Sequence, residues 1–347
     1  MSTHLWMRHE ARATERRAPI TPADAQRLIG DGITLTVERS PQRIFPDDEY
    51  AAAGAELVEA GSWVDAPDDA VIVGIKELPD EPADLRHTHV FFGHAYKGQT
   101  GARELLSRFR RGGGRLLDVE YLTTGGRRVV AFGYWAGYVG ASLAVLHLRG
   151  QLKTPLVPME RSDLDAALAE GADEGGIASA LVTGALGRSG TGARDALAVA
   201  GVPTTGWDIA ETRELDKPAL LEHELLVNCV VSTAPAPPFV EDADLKTPRA
   251  LRCLSDVTAD FTSDLNLVPV NREETTWAEP VRRLFAGEGD LPPFDVIAID
   301  NLPSLLPREA SETFSADLAP HLGAIGDMTE PWQAAQAVFD RAIAALD

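Results

Sequence analysis

With 347 residues, 44% of them apolar, the chain can bury a substantial core and is long enough for two domains, which excludes a single small module. Its 53 acidic against 32 basic residues give a formal charge of -21, opposing non-specific association with nucleic acid or anionic membrane while leaving room for a locally positive pocket. Cys229 and Cys253 lie in no CxxC or Cys/His array, charges interrupt the N-terminal stretch, and no apolar run of about 18 residues occurs, so a soluble cytoplasmic protein without a disulfide scaffold is expected.

Residues 3–9 read as a first strand, followed by a basic loop with Arg12, Arg16 and Arg17. Arg17 reads equally as a surface residue or as an anion clamp, since guanidinium matches carboxylate bidentately. Thr21 as N-cap with Pro22 at the first helical position starts a helix through Leu28. ITLTVE (33–38) alternates as a strand, Asp47 to Ala53 begins a helix, and Ala70 to Ile75 is the next strand.

The stretch from Val71 to Tyr134 concentrates polar, titratable residues where β runs end. VIVGIKELPD delivers Lys76 and Glu77, and HTHVFFGHAYKGQTG delivers His94, Tyr96, Lys97 and Gln99 beside Gly98 and Gly101. LLDVEYL reads as a strand carrying Asp118 and Glu120, and VVAFG as the end of another. Chemistry beyond the carboxyl ends of strands is the arrangement of an α/β enzyme. Lys76 and Lys97 are two of only five lysines. Lysine, unlike arginine, can lose its proton after a modest shift, so their placement points to proton transfer. The alternative for Glu77 is a solvated loop acid.

YWAGYVGASLAVLH (134–147) is apolar enough for a buried helix leading into a second domain, and 161–170 reads as a helix. ALVTGALGRSGTGARDALAVAGV then takes a short β run through a glycine-rich turn into a helix, the context of a dinucleotide fingerprint. Against GxGxxG the match is Ala185, Gly187 and Gly190, with alanine in the first place and Gly184 upstream, enclosing Arg188 and Ser189. Asp208 ends the next β run about 20 residues on, where a carboxylate binds the adenosine ribose and repels a 2'-phosphate. NAD is therefore expected over NADP, with Arg213 as the contrary feature; the alternative for Asp208 is a strand-end turn residue. ELLVNCVV, LRCLSDV and FDVIAID complete a parallel sheet, Asp256 and Asp260 read as capping or solvated acids rather than metal ligands, and Asp300 closes a strand before the Pro303 turn. Helices near 311–319 and from Glu330 to Leu346 follow, the last returning to the first domain.

Together WMRHEARATERRAPITP, GIKELP, GHAYKGQ, DVEYL, GRRVVAFGYWAG, GALGRSGTGA, WDIAET and AIDNLPSLLPREAS, in this order along nearly the whole chain, resemble the fungal-type NAD-dependent, lysine-forming saccharopine dehydrogenases of the alanine dehydrogenase-like superfamily. The resemblance implies two Rossmann-like α/β domains with parallel sheets and an interdomain active-site cleft. Residues 1–133 would form the substrate domain, completed by C-terminal helices 308–347, and residues 134–307 the NAD domain. It further implies reversible conversion of saccharopine, NAD and water to lysine, 2-oxoglutarate and NADH, without a metal. Lys76 would be the amine base and His94 the acid-base for imine hydration and carbinolamine collapse, tuned by Glu77 and Glu120. Arg17, Lys97, Gln99 and Arg128 would meet the substrate. Gly187, Arg188, Ser189, Gly190, Asp208, Arg213 and Asp300 would serve the cofactor. Ser189 stands where the fungal form has a cysteine able to pair at the Cys229 position, so that bridge is absent. The resemblance also implies a monomer without nucleic-acid or membrane partners. An opine-type enzyme using another amino acid with 2-oxoglutarate, or a non-catalytic NAD-responsive protein, is the alternative.

Overall fold

A computed structural model describes residues 3–97, 99–171, 176–261 and 263–346; Gly98 lies outside them. The chain divides into two compact units, Met1–Ala131 with Pro307–Asp347, and Phe132–Leu306.

The first unit is built on β1 (His4–Met7), β2 (Thr34–Glu38), β3 (Glu56–Val58), β4 (Val71–Val73), β5 (Thr88–Phe91) and β6 (Arg115–Asp118). All neighbours pair in parallel, in the order β3-β2-β1-β4-β5-β6. Helix α1 (Pro22–Gly30) starts as expected: the Thr21 hydroxyl oxygen accepts the Asp24 amide at 3.2 Å and Pro22 occupies the first turn. Helix α2 is Asp47–Ala52. Helix α3 (Ala102–Gly112) buries Leu106 and Phe109 and ends at Gly113, whose φ of 75° closes the helix in the left-handed region.

Two β readings are corrected here. LLDVEYL leaves the sheet at Asp118, because that side chain accepts the Glu120 amide at 2.9 Å and turns Val119–Tyr121 into a 3₁₀ helix. VVAFG is not a strand. The pairing instead falls in the hairpin β7 (Thr123–Thr124) and β8 (Arg127–Arg128), whose turn uses Gly125 and Gly126 at φ 56° and 75°. Two adjacent positive φ values suit a tight hairpin turn, and glycine adopts them without a steric cost.

The second unit opens with α4 (Gly133–Leu148), α5 (Arg161–Ala169), β9 (Ala180–Thr183) and α6 (Arg188–Val199). There follow β10 (Thr204–Trp207), α7 (Ile209–Arg213), α8 (Lys217–Leu221), β11 (Leu225–Asn228), β12 (Cys253–Asp256), β13 (Arg282–Phe285) and β14 (Phe294–Ile297). The sheet order is β10-β9-β11-β12-β14-β13. It is parallel except at its edge, where β13 runs antiparallel to β14, so the expected all-parallel sheet carries one reversed strand. Helix α4 is apolar nearly all round because it packs against α6 on one side and against β12 and the 3₁₀ helix Leu302–Leu305 elsewhere. The chain then returns to the first unit as α9 (Pro307–Gly323) and α10 (Glu330–Ala344). Phe339 of α10 meets Phe109 edge to face at 5.8 Å, in a core shared with Leu116 and Trp63. Among the described residues no helix is long and apolar enough to cross a membrane.

The contact of α4 with α6 is close because both contribute glycines. A Cβ on Gly137 would lie 1.8 Å from the Ser189 carbonyl oxygen, and one on Gly192 would lie 2.0 Å from that of Tyr134. Gly137→Ala is expected to destabilise the protein by about 1–3 kcal/mol through overpacking. A fall in thermal midpoint checks this; a midpoint equal to the parent's would show that the helices part freely.

Candidate active site

In the first sheet β1 and β4 are neighbours, yet β1 leads away to β2 and β3 while β4 leads to β5 and β6. Connections that diverge from adjacent strands leave a crevice beyond their carboxyl ends. Residues 8–17 leave β1 there, and Gly74 to Glu77 leave β4 beside them.

Lys76 is half-buried and has two acidic neighbours. Burial alone would raise the Glu15 carboxyl, but its ion pair with Arg17, aided by the charge of Lys76, holds it below the usual range. Arg17 is only 3% exposed: its Nε and Nη2 donate to the two Glu15 oxygens at 2.8 and 2.6 Å. The surface reading of Arg17 is thereby excluded, and its carboxylate partner here is Glu15. Glu77 is exposed and receives Arg12 Nε at 2.9 Å. Partial burial pushes it up, while its own backbone amide, Arg12 and Lys76 bring it below the ordinary value.

The second cluster lies beyond β5 and β6. His94 is exposed, with φ of 48°, and its ring stacks on Phe92 at 6.2 Å and 18°. A non-glycine residue in the left-handed region costs on the order of 1 kcal/mol and is found where function or surroundings demand it. Glu120 Oε1 accepts both Lys97 Nζ at 2.8 Å and Arg128 Nη2 at 2.9 Å. Burial would raise Glu120, but Lys97 first, then Arg128 and His94, keep it ionised below the usual range. Its hydrogen bond raises Lys97 in return. Gln99 is drawn in by accepting the Lys97 amide through Oε1 at 2.8 Å.

Three acids that sequence reading left without a role stand beneath these groups. Glu10 accepts the Ile75 and Lys76 amides, Glu15 pairs Arg17, and Asp118 accepts the Gly93 amide at 3.1 Å as well as that of Glu120. Asp118 thus ties the loop bearing His94 to the loop bearing Glu120. Burial pushes its carboxyl up to about 7. Close approach is possible because residue 93 is glycine: a Cβ there would lie 2.4 Å from Leu116 Cδ2.

In the second unit the glycine-rich turn explains its departure from GxGxxG. The left-handed position is Gly184, at φ 68°, so the next residue need not be glycine. Ala185 is buried, and its methyl group fills the space over Gly206, where an added Cβ would come within 2.9 Å of it. Gly190 is required, since a Cβ there would lie 2.1 Å from the Gly184 carbonyl oxygen. Gly187 N-caps α6 without a side-chain hydrogen bond, and exposed Arg188 and half-buried Ser189 form the first turn. Backbone amides at a helix start suit a diphosphate. Asp208 ends β10 and accepts the Leu186 and Ile209 amides, each at 2.9 Å, within a capping box completed by Glu211. A carboxylate offers about four acceptor sites, so it retains capacity for a ribose hydroxyl. Beside it opens a cavity of about 270 Å³, lined by Ala185, Leu186, Arg194, Gly206, Asp208 and Glu211. These residues fit an adenine dinucleotide. Arg213 is exposed in the last turn of α7, and Asp300 is exposed three residues after β14.

Among the described residues no group of three or more His, Cys, Asp or Glu side chains could hold a metal ion. Asp256 is buried and receives Asn228, Thr258 and Asn271, a structural role. Cys229 and Cys253 are both free thiols.

Residues 6–139 match the family described as Alanine dehydrogenase/PNT, N-terminal domain. The chain is 43% identical to the saccharopine dehydrogenase [NAD(+), L-lysine-forming] of Neurospora crassa over 99% of its own length and 97% of that protein. The enzyme of the same title from Emericella nidulans is 42% identical over 99% and 98%. Among solved structures, an L-alanine dehydrogenase superposes with a TM-score of 0.68 at 17% identity, covering 99% of this chain and 94% of that one, a likeness of fold.

Asp118 yields a prediction about stability. Its folded value near 7 lies above the ordinary 3.8, so the folded state holds this proton more tightly. The contribution is complete below about pH 4 and is lost as the pH rises to about 7. Relative to non-titrating Asp118→Asn, the parent is expected to lose at most about 1.4 kcal/mol per pH unit across that window and nothing further above it. Urea unfolding of both proteins at several pH values measures this; a difference independent of pH would remove the raised carboxyl.

Proposed function

Since the chain belongs to the fungal-type NAD-dependent, L-lysine-forming saccharopine dehydrogenases, of the alanine dehydrogenase-like superfamily, we propose how its own residues divide that reaction. The enzyme oxidatively deaminates saccharopine to lysine and 2-oxoglutarate, with NAD as cofactor. In our reading residues 1–133 with 308–347 serve substrate and catalysis, and residues 134–307 serve NAD.

NAD, when bound, supplies the acceptor for the hydride that leaves the substrate carbon next to nitrogen. Lys76 takes a proton from the substrate's secondary ammonium, which frees the nitrogen lone pair to form the protonated imine as hydride departs. His94 takes a proton from water as its oxygen adds to the imine carbon, giving the carbinolamine. His94 then manages proton transfer as the carbinolamine hydroxyl is deprotonated and the lysine nitrogen is protonated, and the C–N bond breaks to leave the 2-oxoglutarate carbonyl. No oxidant beyond NAD is needed.

The observation that carries this assignment is that each acid-base group stands close enough to acids at the ends of adjacent strands to hold their carboxyls down by its charge. Glu15 and Glu77 accompany Lys76, and Glu120 accompanies His94. Glu77 and Glu120 would tune proton affinity, because nearby anions favour the protonated form of a base and nearby cations oppose it. Arg17, Lys97, Gln99 and Arg128 would stand around the substrate carboxylates or at the mouth of the site. Gly187, Arg188, Ser189 and Gly190 would cradle the diphosphate, Asp208 the adenosine ribose with Arg213 near the adenosine edge, and Asp300 the nicotinamide side. We read the protein as a cytoplasmic monomer, as the resemblance implies for its oligomeric state, and its formal charge of -21 disfavours nucleic-acid and anionic-membrane partners.

Purified protein is expected to reduce NAD with saccharopine and to oxidise NADH with lysine plus 2-oxoglutarate, more slowly with ornithine in place of lysine. Folded, NADH-binding protein without turnover in either direction would overturn the reading. Lys76→Met is expected to lower kcat by roughly 10²–10⁴-fold, the usual worth of a general base, with NADH affinity retained. Parental turnover across pH would remove Lys76 from that role.

A further inference from the structure

We propose that Arg8 and Glu10 clamp the Lys76 peptide from both sides and act as positioning residues for the amine base, an inference that rests on the role of Lys76 proposed above. Strand β4 ends at Val73, but the backbone continues to find partners on both flanks. The Arg8 amide donates to the Val73 carbonyl at 3.0 Å, Gly74 donates to Val90 at 2.9 Å, and Phe92 donates to the Ile75 carbonyl at 3.1 Å. The amides of Ile75 and Lys76 are taken instead by one side chain: Glu10 Oε1 accepts Ile75 at 2.7 Å and Oε2 accepts Lys76 at 3.0 Å. On the other side of the same residue, Arg8 Nη2 donates to the Lys76 carbonyl oxygen. The clamp is closed on itself, since Arg8 Nη1 donates to Glu10 Oε2 at 3.3 Å.

Three features mark this as a built device. Arg8 and Glu10 are 2% and 5% exposed, although isolated charges are almost never buried. Gly74 leaves the space in which Arg8 lies, for a Cβ there would stand 2.5 Å from Arg8 Nε. The guanidinium also faces the Phe91 ring at 5.7 Å, which limits its freedom to swing away. Lys76 therefore leaves the crevice between β1 and β4 from a peptide held at both its N–H and its C=O. A flexible side chain starting from a fixed backbone samples a smaller volume, and misplacement of a reacting group by about 1 Å can cost about 100-fold in rate.

The charges facing the clamp are also defined. Glu10 faces Arg8 and Glu15, while Lys76 has Glu15 and Glu77 near it, which Arg17 and Arg12 pair. Glu10→Gln removes an acid that burial raises and Arg8 draws down, and an ammonium with fewer acids nearby gives up its proton more readily.

Glu10→Gln and Arg8→Lys separate the two functions. A glutamine offers one acceptor oxygen, and its NH2 group would face the second amide. Glu10→Gln is expected to lower kcat for saccharopine oxidation by roughly 10–100-fold with NADH affinity retained. The acid limb of kcat/KM, which reports deprotonation of Lys76, should move to lower pH. Amide exchange at Ile75 and Lys76 should accelerate. Arg8→Lys keeps the charge but loses the planar fork, so kcat should fall while the acid limb stays. Folded Glu10→Gln with parental kcat and an unmoved acid limb would overturn the proposal, as would a loss confined to thermal stability. If Glu10→Gln does not fold, Arg8→Lys decides by the same kcat and exchange readouts. Failure of the parent to turn over saccharopine would count against the reaction instead, and exchange at the Lys76 amide would still decide whether the clamp holds.

Discussion

The first unit depends on carboxylates buried where parallel strands run out. A strand that ends inside a sheet leaves amides of the following loop without ladder partners, and a buried amide without a partner costs about as much as a lost hydrogen bond. Glu38, at the end of β2, receives Trp6 Nε1 and the amides of His9, Gly61 and Trp63 at 2.6–3.2 Å. Glu10 does the same for the end of β4, and Asp118 for the loops after β5 and β6. Each carboxyl is buried at a cost, and the amide donors aimed at its oxygens offset it. The balance is not complete, for burial still raises Glu10 and Asp118. That residue of unfavourable burial is tolerated where the same side chain orders a loop bearing Lys76 or His94.

This logic explains what was legible in the amino-acid order. Local chemistry could be read: Thr21-Pro22 announced a helix start, the apolar run from Tyr134 a buried helix, and the glycine-rich turn a strand-to-helix crossing. Each depends on residues within a few positions. The buried acids depend on partners far away in sequence, as with Glu10 and Lys76 or Glu38 and Trp63, so they read only as polar residues after a strand. Arg17 was ambiguous for the same reason, its burial following from Glu15 and the surrounding fold. Strand β13 escaped notice because Arg282 and Arg283 lack a strand's apolar alternation. Arg283 instead lies across Asp295 of β14, donating to both carboxylate oxygens at 2.7 and 2.9 Å.

The second unit solves a different problem by shape. The nucleotide turn needs its helix close to the strand and its backbone open, and glycines supply both, at 184 by conformation and at 190 by missing volume. Ala185 shows that the motif is a pair of constraints rather than a string of letters. The residue after Gly184 is free to carry a methyl group, and Gly206 on β10 makes room for it. Behind the turn, α4 seats Gly137 on the Ser189 carbonyl, so the first turn of α6 is backed by a helix that is itself buried. Rigid support of this kind matters for a site that offers backbone amides, since amides bind only in the direction they are held.

The two acid-base groups of the first unit are delivered by contrasting means. Lys76 has a long side chain, and its constraint is imposed on the peptide below it, by Glu10 and Arg8. His94 has a short one, and the constraint is written into its own backbone: φ of 48°, preceded by Gly93 tied to Asp118 and stacked on Phe92. A ring with two side-chain torsions keeps little freedom once its backbone is set, whereas a lysine with four keeps much. The base that removes an amine proton can reach for it, while the group that adds water and then collapses the carbinolamine must serve successive positions from one ring. The strain at residue 94 thus sets direction, and it persists because Asp118 ties the loop bearing His94 to the loop bearing Glu120.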